Sequence, residues 1–387
     1  MLNFSYWILY IACASFVDPS YCLSNKTKLI LTWIPFYGDT TFLFGDGSPE
    51  HFRSAGCPYF DCKITGNKSE FPLETFDALL FHAAESHPRF GTPNIRLPNQ
   101  LYVFVCFESS QNTLIAESKR HFYNVTMTYR LDSDIAWTNF RMYTKTGTLM
   151  APKFNPKWKL REPESEFLLP ESISVAIETK KYMAAWFVSH CNTVSRREYF
   201  VKKLIALGID VHVYGRCGNL NCSRADGLEI ASQYYFYLAF ENSLCEDYLT
   251  EKTWRALKSG TVPVVLSGAN LTRFLPPNSY IDARKLGPER VAEEMKRLIS
   301  DRALYENKFR WHQDYETPEG QSEGQGWKMG EHPFCKLCEA LHTDSFKKSK
   351  AFDVIKWWES SQSGDGKSCI LKAPLDWFSN NFRYGWK

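Results

Sequence analysis

The chain predicts an α/β protein built on parallel sheets and divided into two domains. Three observations carry that reading. Strand-like runs such as Leu101-Tyr102-Val103-Phe104-Val105-Cys106-Phe107 are continuously apolar, the pattern of strands covered on both faces. Residues 234–266 spell an aromatic strand, a polar loop, a helix and a β-rich strand, the contents and size of one βαβ unit. A length of 387 residues accommodates two domains of ordinary size.

Composition narrows the class. With 44% hydrophobic and 23% charged residues the chain is globular, and a net charge of +3 is too small to argue for a nucleic-acid partner. The 16% aromatic content suits a protein that holds sugars or bases against flat rings. Twelve cysteines together with glycosylation sequons at Asn3, Asn25, Asn67, Asn124, Asn221 and Asn270 point to the secretory pathway. Phe4 to Val17 is apolar and ends at Asp18, fourteen residues where a full span needs about 20. Residues 1–27 are therefore expected to form a short signal anchor and stem, with a cleaved signal peptide as the other reading.

In chain order, Lys28 to Trp33 is the first strand, Asp77 to His82 the second and Leu101 to Phe107 the third. Cys57 and Cys62 bracket a short loop and are expected to bond to each other. Glu108 follows the third strand directly, at the crevice edge, where desolvation would raise a carboxyl toward general-base duty. The structural alternative is a helix cap or loop carboxylate. Asp132-Ser133-Asp134 has the form of a metal-binding carboxylate pair. Pro152 to Pro170, rich in Pro, Lys and Glu, is the expected interdomain linker.

Met183 to Val188 opens the second domain as its first strand. Ser195-x-x-Glu198 is a capping box, placing Arg197 in the first turn of a helix, where a cation is disfavoured unless an anion binds there. A planar fork suits a diphosphate; the alternative is a solvent-facing Arg. Val211 to Gly215, which includes Tyr214, is the next strand, and Cys217 and Cys222 bracket another short loop. Glu241-Asn242-Ser243 stands at the C-terminal end of the strand that follows, the ligand edge of a parallel sheet. On the next helix Tyr248, Glu251, Lys252 and Arg255 share a polar face opposite Trp254 and Leu257, and Gly260 supplies a left-handed cap. That polar face is either a ligand site or a solvated surface. Further helices are expected over roughly 287–315.

Other motifs carry less. Gly364-Asp365-Gly366-Lys367-Ser368 echoes a phosphate-binding loop without its first glycine or a βαβ context. Cys335-x-x-Cys338 with His332 and His342 could hold zinc, but an oxidising compartment favours a disulfide.

The run Phe240-Glu241-Asn242-Ser243, then Tyr248-x-Thr250-Glu251-Lys252, then Gly260-Thr261-Val262-Pro263-Val264-Val265 resembles the signature of the α1,3-fucosyltransferases. Phe107-Glu108-Ser109, Thr128 through Ile135, Phe187-Val188-Ser189 and Val213-Tyr214-Gly215 match as well. The resemblance implies a GT-B fold, two Rossmann-like domains facing across a cleft. The acceptor-side domain would span 28–165, the GDP-fucose-binding domain 176–345 and a C-terminal extension 346–387. It implies inverting transfer of L-fucose from GDP-fucose in α1,3-linkage. Glu108 would be the general base, with Arg197 on the donor diphosphate, or Arg196 if the register slips. Tyr214, Asn242, Tyr248, Glu251 and Lys252 would bind the donor. His190 departs from the family, which usually has Asn there.

Phe334-Cys335-Lys336-Leu337-Cys338 looks like the members that modify the innermost GlcNAc of N-glycans, and the family uses that cysteine pair as a disulfide. Glycoprotein N-glycans are then the expected acceptors, with lactosamine, a Lewis-type acceptor, as the alternative. In such enzymes side chains neutralise the departing phosphate, so no metal is strictly required, although manganese can stimulate. Asp132 and Asp134 would then be structural or acceptor-side residues. The expected location is the Golgi membrane, single-pass type II, with a lumenal catalytic domain. A reading from another class is a secreted glycan- or nucleotide-sugar-binding protein that kept the fold and lost catalysis.

Overall fold

The computed structural model describes residues 27–42, 44–85, 87–139, 141–160, 167–223, 226–317, 327–346, 352–363 and 366–370. The expected anchor at 1–26, with Asn3 and Asn25, most of the C-terminal extension and the Gly364-Asp365 pair lie outside them. Among the described residues no helix is long and apolar enough to cross a membrane.

Two compact units emerge. The first takes the described residues of Met1–Cys106, Ala116–Met127 and Met329–Phe352; the second takes those of Phe107–Ile115, Thr128–Lys328 and Asp353–Lys387. The division therefore does not fall at the expected linker. The chain leaves the first unit directly after Cys106 and returns to it near residue 329, so Glu108 is part of the second unit.

In the first unit, strands β1 (Lys28–Ile34), β2 (Cys62–Thr65), β3 (Ala78–His82), β4 (Leu101–Cys106) and β5 (Val125–Thr128) stand in the order β2-β1-β3-β4-β5. β1 pairs in parallel with β2 and β3, and β3 with β4. β3 and β4 are buried along their whole length, which is why their sequences show no alternation. The helix Pro333–Thr343 belongs to this unit and is fastened by two disulfides, Cys57–Cys335 and Cys62–Cys338. The expected bonds within Cys57/Cys62 and within Cys335/Cys338 are thus replaced by two bonds across 278 and 276 residues of sequence. Each cysteine pair is close in sequence, but each sulfur meets the other pair when the helix docks, which sequence spacing does not reveal.

The second unit begins its strands with β6 (Ile135–Ala136), β7 (Met142–Thr144) and β8 (Leu149–Ala151), then β9 (Tyr182–Phe187), β10 (Val211–Tyr214), β11 (Tyr234–Phe240), β12 (Val262–Leu266), β13 (Ile281–Asp282) and β14 (Tyr315–Glu316). Its main sheet runs β10-β9-β11-β12-β13, every pairing parallel. A small antiparallel sheet, β14-β7-β8, accompanies it. Phe236, Leu238 and Phe240 of β11 pack on one side with Phe200, Val201 and Leu204 of helix Arg197–Ala206 and Val291 and Met295 of helix Ala283–Ser300. Tyr237 and Ala239 point the other way, to Trp254 and Leu257 of helix Glu251–Lys258. Both faces of β11 are covered, as its uninterrupted apolar run requires.

Numbered within this sheet, the strand order is 2-1-3-4-5, a doubly wound arrangement. The chain reverses its winding between β9 and β11. In open parallel sheets the crevice for ligands lies there, beyond the carboxyl ends of the two strands.

Two further disulfides lie in the second unit, Cys191–Cys217 and Cys245–Cys369. Cys217 therefore bonds to the end of β9 rather than to Cys222, which is a thiol, as is Cys106. Non-reducing peptide mapping should recover the Cys57 peptide with that of Cys335 and the Cys62 peptide with that of Cys338. Removing the second bridge by Cys62→Ser with Cys338→Ser should lower unfolding stability by about 2–4 kcal/mol.

Candidate functional site

The carboxyl ends of β9 and β11 open on a cavity of about 480 Å³, lined by residues that include His190, Arg197, Tyr214, Asn242, Lys252 and Arg255. Each element delivers its residues for a local reason. The segment after β9 turns through Arg196, whose φ of 53° is left-handed, and Arg197 becomes the first residue of its helix. Arg196 is exposed while Arg197 is buried, and of the two it is Arg197 that lines the cavity. The expected Ser195–Glu198 capping box does not form. Ser195 Oγ instead donates to the Glu241 carbonyl at 2.7 Å, and Glu198 accepts from the Thr193 backbone and hydroxyl at 3.3 and 3.1 Å. The left-handed Arg196 turns the Ser195 side chain away from the helix end.

Arg197 is only 2% exposed, and its fork faces the backbone: Nη1 donates to the Phe240 carbonyl at 2.7 Å and Nη2 to the His190 carbonyl at 2.6 Å. It bridges the ends of β9 and β11 and supplies the cavity with a buried positive charge. This differs from the open two-pronged clamp expected from sequence, because the strand-end carbonyls claim both prongs.

Lys252 and Glu251 begin helix Glu251–Lys258, after Thr250 at its N-cap. The start of that helix is held by Glu241, a carboxylate with no solvent exposure at the end of β11. Glu241 accepts from the Thr250 N–H at 2.8 Å, from the Thr250 hydroxyl at 2.9 Å and from Lys252 Nζ at 3.0 Å. Lys252 also reaches Thr250 Oγ1 at 2.7 Å and Glu251 at 3.2 Å. Burial pushes the Glu241 carboxyl above its usual range, opposed by Lys252 and the Thr250 N–H. Burial works against the Lys252 ammonium too, yet the charges of Glu241 and Glu251 outweigh it and raise its pKa. Glu251 shows the converse: burial would raise its carboxyl, but Lys252 and Arg255 hold it at about 2. Gly260, at φ +63°, ends the helix as the sequence predicts.

Tyr214 stacks on Phe187 with ring centres 4.8 Å apart, and its hydroxyl meets that of Tyr234 at 2.8 Å. Asn242 is buried, its side-chain oxygen accepting from Ser243 Oγ at 3.2 Å. Ser243 accepts in turn from Ser109 Oγ at 2.8 Å. Tyr248 lies ahead of the helix, outside the cavity lining. Its hydroxyl donates to Glu108 Oε2 at 3.0 Å. Glu108, half-buried, is thus joined to the cavity-forming segments twice, through Tyr248 and through the adjacent Ser109.

Six of the seven predicted site residues are cavity-lining residues or, in the case of Glu108, hydrogen-bonded to the segment that carries them. Tyr248 is the one that does not line the cavity, its hydroxyl meeting Glu108. Glu241 and Ser243 belong to the Glu-Asn-Ser triplet noticed in the sequence, yet their anchoring work was not foreseen. A carboxylate ending an apolar strand two residues from a polar loop was the available signal. Arg255 was placed on the polar face and does line the cavity.

Asp132 does not present itself as a metal ligand. Arg130 donates to both of its oxygens at 2.8 Å, and Trp357 Nε1 to one of them at 3.1 Å.

A doubly wound sheet with a cationic cavity at its switch point defines a protein that binds an anionic, nucleotide-like ligand. Comparison with known proteins makes the class particular. The C-terminal profile of glycosyltransferase family 10 (fucosyltransferase) matches residues 177–358, and the N-terminal fucosyltransferase profile matches 25–140. The chain is 38% identical over 351 residues to alpha-(1,3)-fucosyltransferase C of Drosophila melanogaster, covering 87% of this chain and 79% of that protein. It is 29% identical to alpha-(1,3)-fucosyltransferase fut-1 of Caenorhabditis elegans, covering 92% of this chain and 74% of that protein. Against a 3-galactosyl-N-acetylglucosaminide 4-alpha-L-fucosyltransferase of Bos taurus it is 36% identical, covering 73% and 71%. A crystal structure of an alpha1,3-fucosyltransferase with GDP has the same fold, at TM-score 0.50 and 18% identity over 89% of this chain and 97% of that one. The chain belongs to glycosyltransferase family 10, the fucosyltransferases, and its fold is GT-B.

Truncating Glu241 strands the Lys252 charge and the Thr250 donors. Glu241→Ala should cost about 3–5 kcal/mol in urea unfolding, whereas Glu241→Gln, which keeps acceptor and shape, should cost clearly less.

Proposed function

We propose that the enzyme transfers L-fucose from GDP-fucose, with inversion, to the 3-hydroxyl of a GlcNAc residue. The observation that carries the reading is the cationic cavity at the switch point of the second unit, formed with Lys252, Arg255 and the buried Arg197. A nucleoside diphosphate is an anion of the size and charge this cavity suits. The solved relative with GDP belongs to the same fold.

In this reaction the bond from the anomeric carbon to the diphosphate oxygen breaks, and its electron pair leaves with GDP. The acceptor oxygen forms the new bond from the opposite face and yields its proton to the Glu108 carboxylate. Negative charge grows on the leaving diphosphate, and preorganised cations there stabilise the transition state more than the ground state. Lys252 meets it from the helix start and Arg197 from beneath. Glu251, kept ionised, would accept hydrogen bonds from sugar hydroxyls. Asn242 and Tyr214 would position the donor at the strand ends. Manganese would enter as a stimulating ion rather than as a required one.

The acceptor reading favours the innermost GlcNAc of glycoprotein N-glycans, on the strength of the Phe334-Cys335-Lys336-Leu337-Cys338 segment. A relative from Homo sapiens named a 4-galactosyl-N-acetylglucosaminide 3-alpha-L-fucosyltransferase favours a lactosamine instead. The secretory-pathway sequons and cysteines agree with work in the Golgi lumen, tethered through the N-terminal segment.

Supplying an N-glycan core and lactosamine separately with GDP-fucose, and determining the product linkage, tests the acceptor. Fucose on neither, with no hydrolysis of GDP-fucose either, would overturn both acceptor readings in favour of a protein that binds without turnover. Glu108→Gln should leave GDP-fucose affinity nearly intact and lower turnover by about 10²–10⁴. Lys252→Ala should weaken donor binding roughly 10-fold or more, the loss of a charge-assisted bond, as read by calorimetry on protein that still melts cooperatively.

A further inference from the structure

The resemblance assigns Tyr248 to the donor, but its surroundings in the structure give it other work. Its side chain is 2% exposed and it is absent from the lining of the donor cavity among the described residues. Its ring meets Tyr129 edge-on at 4.9 Å. Its carbonyl accepts from Ser267 Oγ at 2.6 Å. The loop that carries it is pinned on both sides. Cys245 is bonded to Cys369, and Asp247 accepts from the Leu131 N–H at 3.0 Å and from Arg273 at 3.3 Å. Gly268 lets that loop pass, because a Cβ there would lie 2.3–2.4 Å from the backbone of Leu244 and Cys245. Held in this way, the phenol meets Glu108 Oε2 at 3.0 Å.

We propose that Tyr248 is a positioning residue for the base: its hydroxyl donates to Glu108 and sets the orientation of that carboxylate. The proposal rests on Glu108 being the base. Orientation matters because proton transfer needs the carboxylate within hydrogen-bond reach of the attacking hydroxyl. The phenol can serve only as a donor. Burial, with the charges of Glu108, Glu241 and Glu251 and the nearby Tyr129, raises its pKa well above the ordinary tyrosine value, so it keeps its proton at every working pH.

The test is steady-state kinetics of the full chain, with GDP-fucose varied at saturating acceptor. Tyr248→Phe keeps the ring packing and deletes only the donor. Turnover should fall about 10-fold with the donor KM within 2-fold of wild type. In the Glu108→Gln background the same substitution should cost nothing further, because Tyr248 acts only through that carboxylate, whereas a role in packing alone would lower residual turnover in both backgrounds. Placing 4-fluorophenylalanine at position 248 fills the place of the hydroxyl without donating and should lose turnover to the same extent, which keeps the test open if Tyr248→Phe fails to fold. A raised donor KM with unchanged turnover would overturn the proposal in favour of donor binding, and wild-type behaviour in both variants would overturn it outright. Undiminished turnover in Glu108→Gln removes the base itself, whereas an equal further loss from Tyr248→Phe in that background removes only the role of Tyr248.

Discussion

A carboxylate with no access to water, at the end of a central strand, must find its partners inside the protein or forfeit several kcal/mol. Glu241 finds them in the backbone and hydroxyl of Thr250 and in the ammonium of Lys252. That set of bonds ties the end of β11 to the beginning of the next helix and fixes the span of loop between them. Asn242, Ser243 and Tyr248 all sit on that loop, so one buried anion determines where each can point. Together with Glu251 it also raises the Lys252 pKa against the lowering effect of burial. A preorganised cation of this kind need not rearrange when an anionic group develops beside it.

The sheet decides where such a site can exist. The strands of the first unit and the five-stranded sheet of the second follow the same 2-1-3-4-5 order, and in the second unit the winding reverses between β9 and β11. Helices on opposite faces splay apart there and leave the strand ends uncovered. Arg197 closes the floor by bonding to a carbonyl from each strand end. Its guanidinium is thereby a structural tie and a source of field at once. A buried Arg can do both, since its charge is permanent.

Residues that look catalytic in the sequence can turn out to be fasteners. Asp132 is bound by Arg130, whose Nη1 also donates to the carbonyls of Trp357 at 2.9 Å and Ser360 at 3.0 Å. The C-terminal segment is held there and again by the Cys245–Cys369 bridge. Gln362 from that segment reaches Asp247, beside Tyr248. Residues 357–362 and Cys369 therefore brace the loop that carries Tyr248, so a stretch far along the chain contributes to the site.

The sequence by itself determined the fold class, the family and most of the named residues that line the cavity. Strands buried on both faces must be continuously apolar, a helix with one packed face must be amphipathic, and a strand-end Glu-Asn-Ser lies next to the ligand edge; each is a local pattern and can be read locally. Only the tertiary structure decided what depends on residues distant in sequence. It paired Cys57 with Cys335 and Cys62 with Cys338, across separations that local spacing cannot reveal. It put Glu108 in the same unit as Tyr248, 140 residues away, and it turned the Arg197 fork toward two carbonyls. Disulfide partners and hydrogen-bond partners are chosen by which segments dock together, and docking is settled by the packing of whole sheets and helices rather than by any short stretch of residues.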